Sequence, residues 1–572
     1  MGRSSSQSYL GRRFEPPRRS ASSPITAALS VVDTLTGVRI DAVIIGAGHN
    51  GLSAAAYLAR AGLRVVVLER RSVLGGACVT EELWPGFRVS RAAYVAGLLR
   101  PRIVRELDLP ARGLRLLRRD PSSFTPLRDG RSLLLGADGA TNVREIGRFS
   151  ARDAERYPRY EMFLERIARV VEPLLDVPPP RLPRPRLRDL RPIFAALFAT
   201  CRLGRQLPQA LSLALGAAGP LLETWFESEP LRATLATDAL IGAFFAPSTP
   251  GTGYVLLHHV MGETFGQRGV WAYAAGGMGS ISEALAGAAR ATGAEIRVES
   301  PVKSVLVHGG RARGVLLDDG TVIEAHVVLS NADPARTFFT LVGRESLSED
   351  FARAVEALDF RSPVCKINLA LDRLPEFHAR PGHGVQPHHA ATIHIGAESL
   401  ADLERSFATA QVGCLPERPM IELTLPSALD ASLAPAGRHV ASLFVQHVPY
   451  APEGGGWEGQ RAAFADRVCA LVDAVAPGFS ASILHREVLV PPDLERIFGL
   501  TGGNIFHGAM TPDRLLGLRP LPGWGAYRTP LAGLYLCGAG THPGGGVMGA
   551  CGRLAALEVL RDWRNEHAAE GA

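Results

Sequence analysis

The stretch Asp41–Gly76, DAVIIGAGHNGLSAAAYLARAGLRVVVLERRSVLGG, limits the possible folds of this 572-residue chain more than any other segment. An apolar run of strand length, Ala42–Ile45, enters Gly46-Ala47-Gly48-His49-Asn50-Gly51, which opens an alanine-rich helix closed by Gly62. A second β-branched run, Val65–Leu68, delivers Glu69 at 18 residues beyond Gly51. Strand, glycine turn, helix, strand and acid in this register predict a dinucleotide-binding βαβ unit. Gly46 allows the tight turn, Gly48 lets the backbone approach a pyrophosphate, and Gly51 lets helix and strand pack closely. The pyrophosphate sits on free N–H groups at the positive helix end. The Glu69 carboxylate can accept ribose hydroxyls, which disfavours a 2′-phosphate.

A second glycine-rich unit lies near the end of the chain. Strand Leu534–Cys537 runs into Gly538-Ala539-Gly540, then Thr541–Gly546, then a helix expected from Val547. Only 34 residues follow Gly538, so no second strand with its acid can fit, and the unit must complete the first sheet. Between the two, Gly276-Gly277-Met278-Gly279 opens a helix at Ser280–Thr292. Strands are expected after it at Glu295–Val298, Val302–Val307, Gly314–Leu317, Val322–Ala325 and Val327–Leu329. The fold class is therefore α/β: a discontinuous Rossmann-type domain with an inserted mixed α+β substrate domain. The expected division is an extension at 1–38, cofactor domain at 39–109, 276–345 and 526–565, and substrate domain at 110–275 and 346–525. One cofactor longer than NAD spans such a split domain, and FAD fits. Its adenine and ribose would lie at Glu69, its pyrophosphate at Gly46–Gly51, and its ring toward Val547-Met548-Gly549, where helix N–H groups stabilise charge on a reduced ring.

Composition narrows the class further. The net charge of +6 is almost all arginine, since Lys303 and Lys366 are the only lysines. The arginines are interleaved with acids along the chain, which argues against a nucleic-acid stripe. Arginine in place of lysine follows GC-rich codons and suggests a bacterial source. Seven scattered cysteines without a CxxC pair read as a reduced, cytoplasmic chain. No apolar run reaches about 18 residues without a charge. Met1–Val38 is Ser- and Arg-rich, a composition that a mitochondrial transit peptide shares if the chain is eukaryotic. Ile193–Phe226 is apolar but carries Arg202 and Arg205, and suggests cavity-lining helices or a peripheral membrane contact. The histidines at 378, 383, 388, 389 and 394 fall among glycines and prolines in no metal-ligand spacing, so no metal site is expected.

The fingerprint followed by Glu69-Arg70-Arg71…Gly75-Gly76, the SNADP at Ser330–Pro334, and YLCGAGTHPGGGV at Tyr535–Val547 resemble the phytoene desaturase and carotenoid isomerase branch of the amine-oxidase-like flavoproteins. IGAGHNGL, LERRSVLGGA, Pro491–Met510 and LCGAGTHPGGGVMGA are similar, over roughly residues 40–565, to the pyridine nucleotide-disulfide oxidoreductase domain-containing protein 2 group. The resemblance implies noncovalent FAD and oxidation, or redox-neutral isomerisation, of a hydrophobic small molecule. It implies that Gly46, Gly48, Asn50, Gly51, Glu69, Arg70, Gly75 and Gly76 hold the AMP and pyrophosphate half. It further implies that the Val302 backbone reads adenine, and that Gly538, Gly540, Val547 and Met548 border the flavin. Cys537, at a strand end, reads as packing rather than as a flavin thioether. His542 and His507 are the candidate acid/base residues. Oxygen, a quinone or a protein is expected as electron acceptor. An amine oxidase would want an aromatic pair near Gly538–Met548, and a non-catalytic escort protein of related fold would not need intact glycines at both cofactor ends.

Overall fold

A computed structural model describes residues 40–180, 193–194, 197–198 and 200–570. The expected extension at 1–38 and most of the Pro178–Pro192 break lie outside these residues. Two seven-stranded sheets dominate the fold. The first has the order 295–297, 65–68, 40–45, 322–330, 311–317, 302–308, with Leu534–Leu536 also paired to Val322–Ser330. Val43 and Leu534 both pair with Val328, in parallel register, so the first and last strands of the domain share one neighbour.

Val322–Ser330 is a single strand, where the sequence suggests two. Its first half pairs antiparallel with Arg311–Leu317 and its second half parallel with Ile40–Ile45. The polar His326 between the expected halves does not interrupt it, because that side chain turns out to Glu566 and Trp563. On one face, helix His49–Arg60 packs between helices Gly279–Ala291 and Ala550–Glu570. Its small side chains, Ser53 and Ala54–Ala56, permit that close approach. The C-terminal helix begins at Ala550 rather than Val547, because Gly549 takes a left-handed φ of 70° and stops the helix from starting earlier.

The second sheet runs 483–489, 365–371, 439–446, 420–424, 392–395, 123–126, 132–135. It gathers strands from both expected substrate segments. Along Cys365–Leu371 the pleat sends Cys365, Ile367, Leu369 and Leu371 into a core under helix Arg461–Asp473, and leaves Lys366 and Asn368 on the other face. Two boundaries differ from the sequence reading. Helix Glu349–Glu356 lays Phe351 and Val355 into the core of the cofactor sheet, beyond the expected limit at 345. The hairpin Thr80–Trp84/Phe87–Ser90 packs Phe87 and Val89 on Ala370 and Val440 of the substrate sheet, although it lies within 39–109.

The last helix is tied to its sheet by Arg528, which donates to Glu558 at 2.6 Å and to Asp562 at 2.7 Å, while Tyr535 Oη donates to Asp562 at 2.7 Å. Glu558 is 1% exposed. Arg528→Met removes these hydrogen bonds while Arg561 still pairs with Glu558 and Tyr535 with Asp562, and unfolding in urea is expected to show a loss of about 2 kcal/mol.

Candidate functional site

One cavity of about 1470 Å³ runs from the fingerprint to the substrate sheet. That exceeds the roughly 300–1,000 Å³ of a single-ligand pocket and leaves room for a cofactor and a substrate together. At its first end, Glu69 is 5% exposed, and its carboxylate accepts from Ala47 N at 2.9 Å and Arg71 N at 3.0 Å. The acid therefore also holds the glycine turn in shape. Arg70 lines the cavity and donates to the carbonyls of Arg496 and Ile497 at 3.1 and 2.7 Å, which fastens the turn to the substrate domain. Val302 and Lys303 close this end.

The turn has no space for side chains. A Cβ on Gly51 would fall 2.2 Å from the Gly46 carbonyl oxygen, and one on Gly48 would fall 2.6 Å from Asn331 Nδ2. Gly51 thus permits the turn to fold over its own helix, a closer constraint than the helix–strand contact expected. Gly46, Gly48, Asn50, Gly75 and Gly76 border the cavity. Asn331, from the SNADP motif, joins them there.

The late glycine unit meets the fingerprint directly. His49 Nε2 lies 3.1 Å from the Gly546 carbonyl oxygen, and burial holds its imidazole neutral, with a pKa of about 4. Val547 and Ala539 line the cavity, while Gly538, Gly540 and Met548 stand one layer behind it. Gly538 packs against Asn331 and His507, Gly540 against Pro334, and Met548 is buried against Leu98. Arg519, fully buried, donates to the carbonyls of Phe506, Gly508, Ala509 and Ala539, and so fastens the His507 loop to the late glycine turn.

The two candidate histidines part company here. His507 lines the cavity with Nδ1 unpartnered, and burial lowers its pKa. His542 does not line it: its Nε2 faces the Leu174 carbonyl at 2.8 Å, a packing position under the substrate helices. His259 also reaches the cavity, stacked on Trp271 with Nδ1 at 2.8 Å from the Val255 carbonyl. Cys537 is buried in the core of the cofactor domain. Among the described residues no three His, Cys, Asp or Glu side chains are placed to share a metal ion.

At the far end, four strands of the substrate sheet set one row facing the cavity. Lys366 pairs with Phe444, Phe444 with Glu422, and Glu422 with His394. Tyr94 lies across the row. Its hydroxyl donates to Glu422 Oε2 at 2.5 Å, and its ring stands 4.7 Å from Lys366 Nζ and 5.1 Å from the Phe444 ring. Burial pushes the Glu422 carboxyl up to about 7 and the Lys366 ammonium down to about 7. Asp238 nearby is raised to about 6, again by burial, and His394 is lowered to about 3. Sequence reasoning misses this row. His394 sits among loop histidines in the chain, and its strand of four residues is too short to display its period. The available signal is a pair of polar residues at alternate positions in each of CKINLAL, MIELT and TIHI.

Known proteins share both the pattern and the fold. Residues 44–102 match the NAD(P)-binding Rossmann-like domain, and residues 220–420 match the flavin containing amine oxidoreductase family. The chain is 51% identical to rat (Rattus norvegicus) pyridine nucleotide-disulfide oxidoreductase domain-containing protein 2 over 545 residues, covering 92% of this chain and 94% of that protein. It is 30% identical to a limonene dehydrogenase polypeptide of Castellaniella defragrans, covering 91% and 94%. A putrescine oxidase triple mutant has a similar fold, with a TM-score of 0.55 at 15% identity, covering 92% and 99%. Relatives in a mammal and a bacterium mean that arginine bias alone does not assign the source.

Because the native Glu422 carboxyl holds its proton up to about pH 7, while an unfolded glutamate releases it near 4.5, its contribution is complete below 4.5 and lost as pH rises through 7. The stability difference between wild type and Glu422→Gln, measured in urea at pH 4.5 and pH 7.5, is expected to move against the wild type on the order of 3 kcal/mol across that window.

Proposed function

We propose, from the premise that this chain belongs to the family of pyridine nucleotide-disulfide oxidoreductase domain-containing protein 2, that it is an FAD-dependent oxidoreductase that dehydrogenates a hydrophobic small molecule. The observation that carries this reading is the single cavity, glycine-cradled at one end and walled by Leu235, Ile241, Leu256, Val260 and Phe444 at the other. The residues present fit a noncovalent FAD. The Gly48 and Gly51 cradle admits backbone where a Cβ would collide, Glu69 lines the cavity where its carboxylate would accept ribose hydroxyls, and Cys537 is enclosed in the core away from the cavity. When bound, FAD accepts two electrons as a hydride from carbon.

The chain's own residues place the substrate, exclude water and manage one proton. His507, held neutral by burial, lines the cavity and is the imidazole assigned to take a proton lost from the substrate. His542, held at the Leu174 carbonyl, takes no proton from substrate in this reading. A redox-neutral isomerase would use the same residues with no acceptor. Oxygen, a quinone or a protein serves as the acceptor in the dehydrogenase reading.

Phe194, Leu197, Phe198, Leu211 and Leu215 are about half to two-thirds exposed, and this apolar group suits a lipid surface that delivers substrate or quinone. No helix among the described residues is long and apolar enough to cross a membrane.

The purified protein is expected to show an oxidised-flavin spectrum that bleaches anaerobically with the true substrate; a colourless protein would return the chain to the escort reading. His507→Ala is expected to keep its flavin and slow that bleaching about 100-fold, and an unchanged rate would remove His507 from catalysis. Flotation with liposomes should carry the wild type and lose the Phe194→Ser/Phe198→Ser variant.

A further inference from the structure

The row Lys366–Phe444–Glu422–His394 is a costly arrangement for a cavity that takes only hydrocarbon. Lys366 is 1% exposed and His394 7% exposed, and both line the cavity. Lys366 Nζ and His394 Nδ1 have no hydrogen-bond partner. The nearest acid for His394 is Glu422 Oε1 at 4.0 Å, beyond hydrogen-bonding reach, and the other Glu422 oxygen is taken by Tyr94. Glu487, whose charge acts on Lys366, is already engaged by Arg91 and Asn368. Arg119, on the same wall, is occupied by the Ala390 carbonyl and Thr392 Oγ1. Two buried polar nitrogens are therefore left facing the same space with no protein atom to satisfy them. A buried polar group left without a partner forfeits its full hydration. A hydrocarbon would seal that loss in.

We infer that the substrate is an apolar molecule with an oxygen-bearing headgroup, whose oxygen accepts from Lys366 Nζ at the cavity face of the substrate sheet, with His394 three strands along the same wall. This rests on the cavity being the substrate site proposed above. Phe444 and Tyr94 flank the headgroup and keep water from it, and the apolar body extends along Ile241 and Val260. A hydroxyl and a carboxylate both supply the required acceptor. The carboxyl of Asp238 on the same wall acts on Tyr94 and Glu422, and it would oppose a second negative charge.

Trp271 lines the cavity, so its quenching reports probe binding with or without FAD. Farnesene, farnesol and farnesoic acid offer one carbon skeleton with no headgroup, a hydroxyl and a carboxylate. At least one oxygenated probe is expected to bind about tenfold or more tightly than farnesene, and the better of the two identifies the headgroup. Lys366→Met should bring the ratio close to one, with the oxygenated probe bound more weakly and farnesene bound at least as tightly as by the wild type. In ligand-free protein the same variant should raise Tm, because the buried ammonium it removes has the Tyr94 ring face but no hydrogen-bond acceptor. Equal affinities, binding of none of the three, or a lowered Tm with the ratio intact would overturn the inference. FAD-loaded protein that fails to discriminate defeats this inference alone. Protein that discriminates but never takes up FAD defeats the flavin reading and leaves the headgroup site standing.

Discussion

Everything in this molecule depends on one strand being shared. Val322–Ser330 pairs on one side with the strand that opens the fingerprint and on the other with the strand that precedes the late glycine turn. Parallel strands cannot be joined by tight turns, so the chain must leave the sheet between them, and the substrate domain is what it builds during those excursions. The same pairing brings His49 against Gly546, residues 497 positions apart, and so closes the cofactor end of the cavity. Loss of register here would separate the two halves of the site as well as unfold a sheet.

The substrate sheet solves the opposite problem. Its central strands are buried on both faces, one against helix Arg461–Asp473 and one against the cavity. Apolar residues on the helix side supply the stability that permits polar residues on the cavity side. Glu422 and Lys366 are both displaced by burial toward neutrality, so the row can carry little net charge near pH 7. Buried, neutral imidazoles at 49, 259 and 507 extend the same low-charge environment along the cavity. Such a lining admits an apolar body, and it strengthens each hydrogen bond that a polar end makes.

The cofactor domain is legible in the sequence because its signals are local. Glycine spacing, the alanine-rich helix and the β-branched runs each declare themselves within a dozen residues, and Val65–Leu68 is a strand with the bounds its apolar run suggests. The join between Val322–Ala325 and Val327–Leu329 is not legible, since a lone histidine in a strand reads equally as a break or as an outward residue. The helix start at Ala550 depends on the backbone of Gly549, which sequence pattern does not show. The row at Lys366, Glu422 and His394 is hidden for a different reason. Polar alternation means a face that is not core, and a cavity wall and a solvated face give the same pattern. Only the cross-strand register, set by segments far apart in the chain, brings those three residues together.

The relatives' name invites thiol chemistry, and the structure argues against it on physical grounds. All seven cysteines are free, and none pairs with another across the cavity. Cys78 alone among them lines it, and its thiol donates to the Met278 carbonyl at 3.2 Å. Burial pushes that thiol up to about 12, so it holds its proton at physiological pH. Disulfide exchange begins with a thiolate, which needs a nearby cation or a helix N-terminus to form. Cys78 stands beside Met278, the N-cap of helix Gly279–Ala291, but its sulfur donates to that carbonyl instead of receiving a helix N–H, and burial prevails. The cavity therefore combines a glycine-lined turn with a single protonated thiol, and thiol exchange across it has no second sulfur to work with.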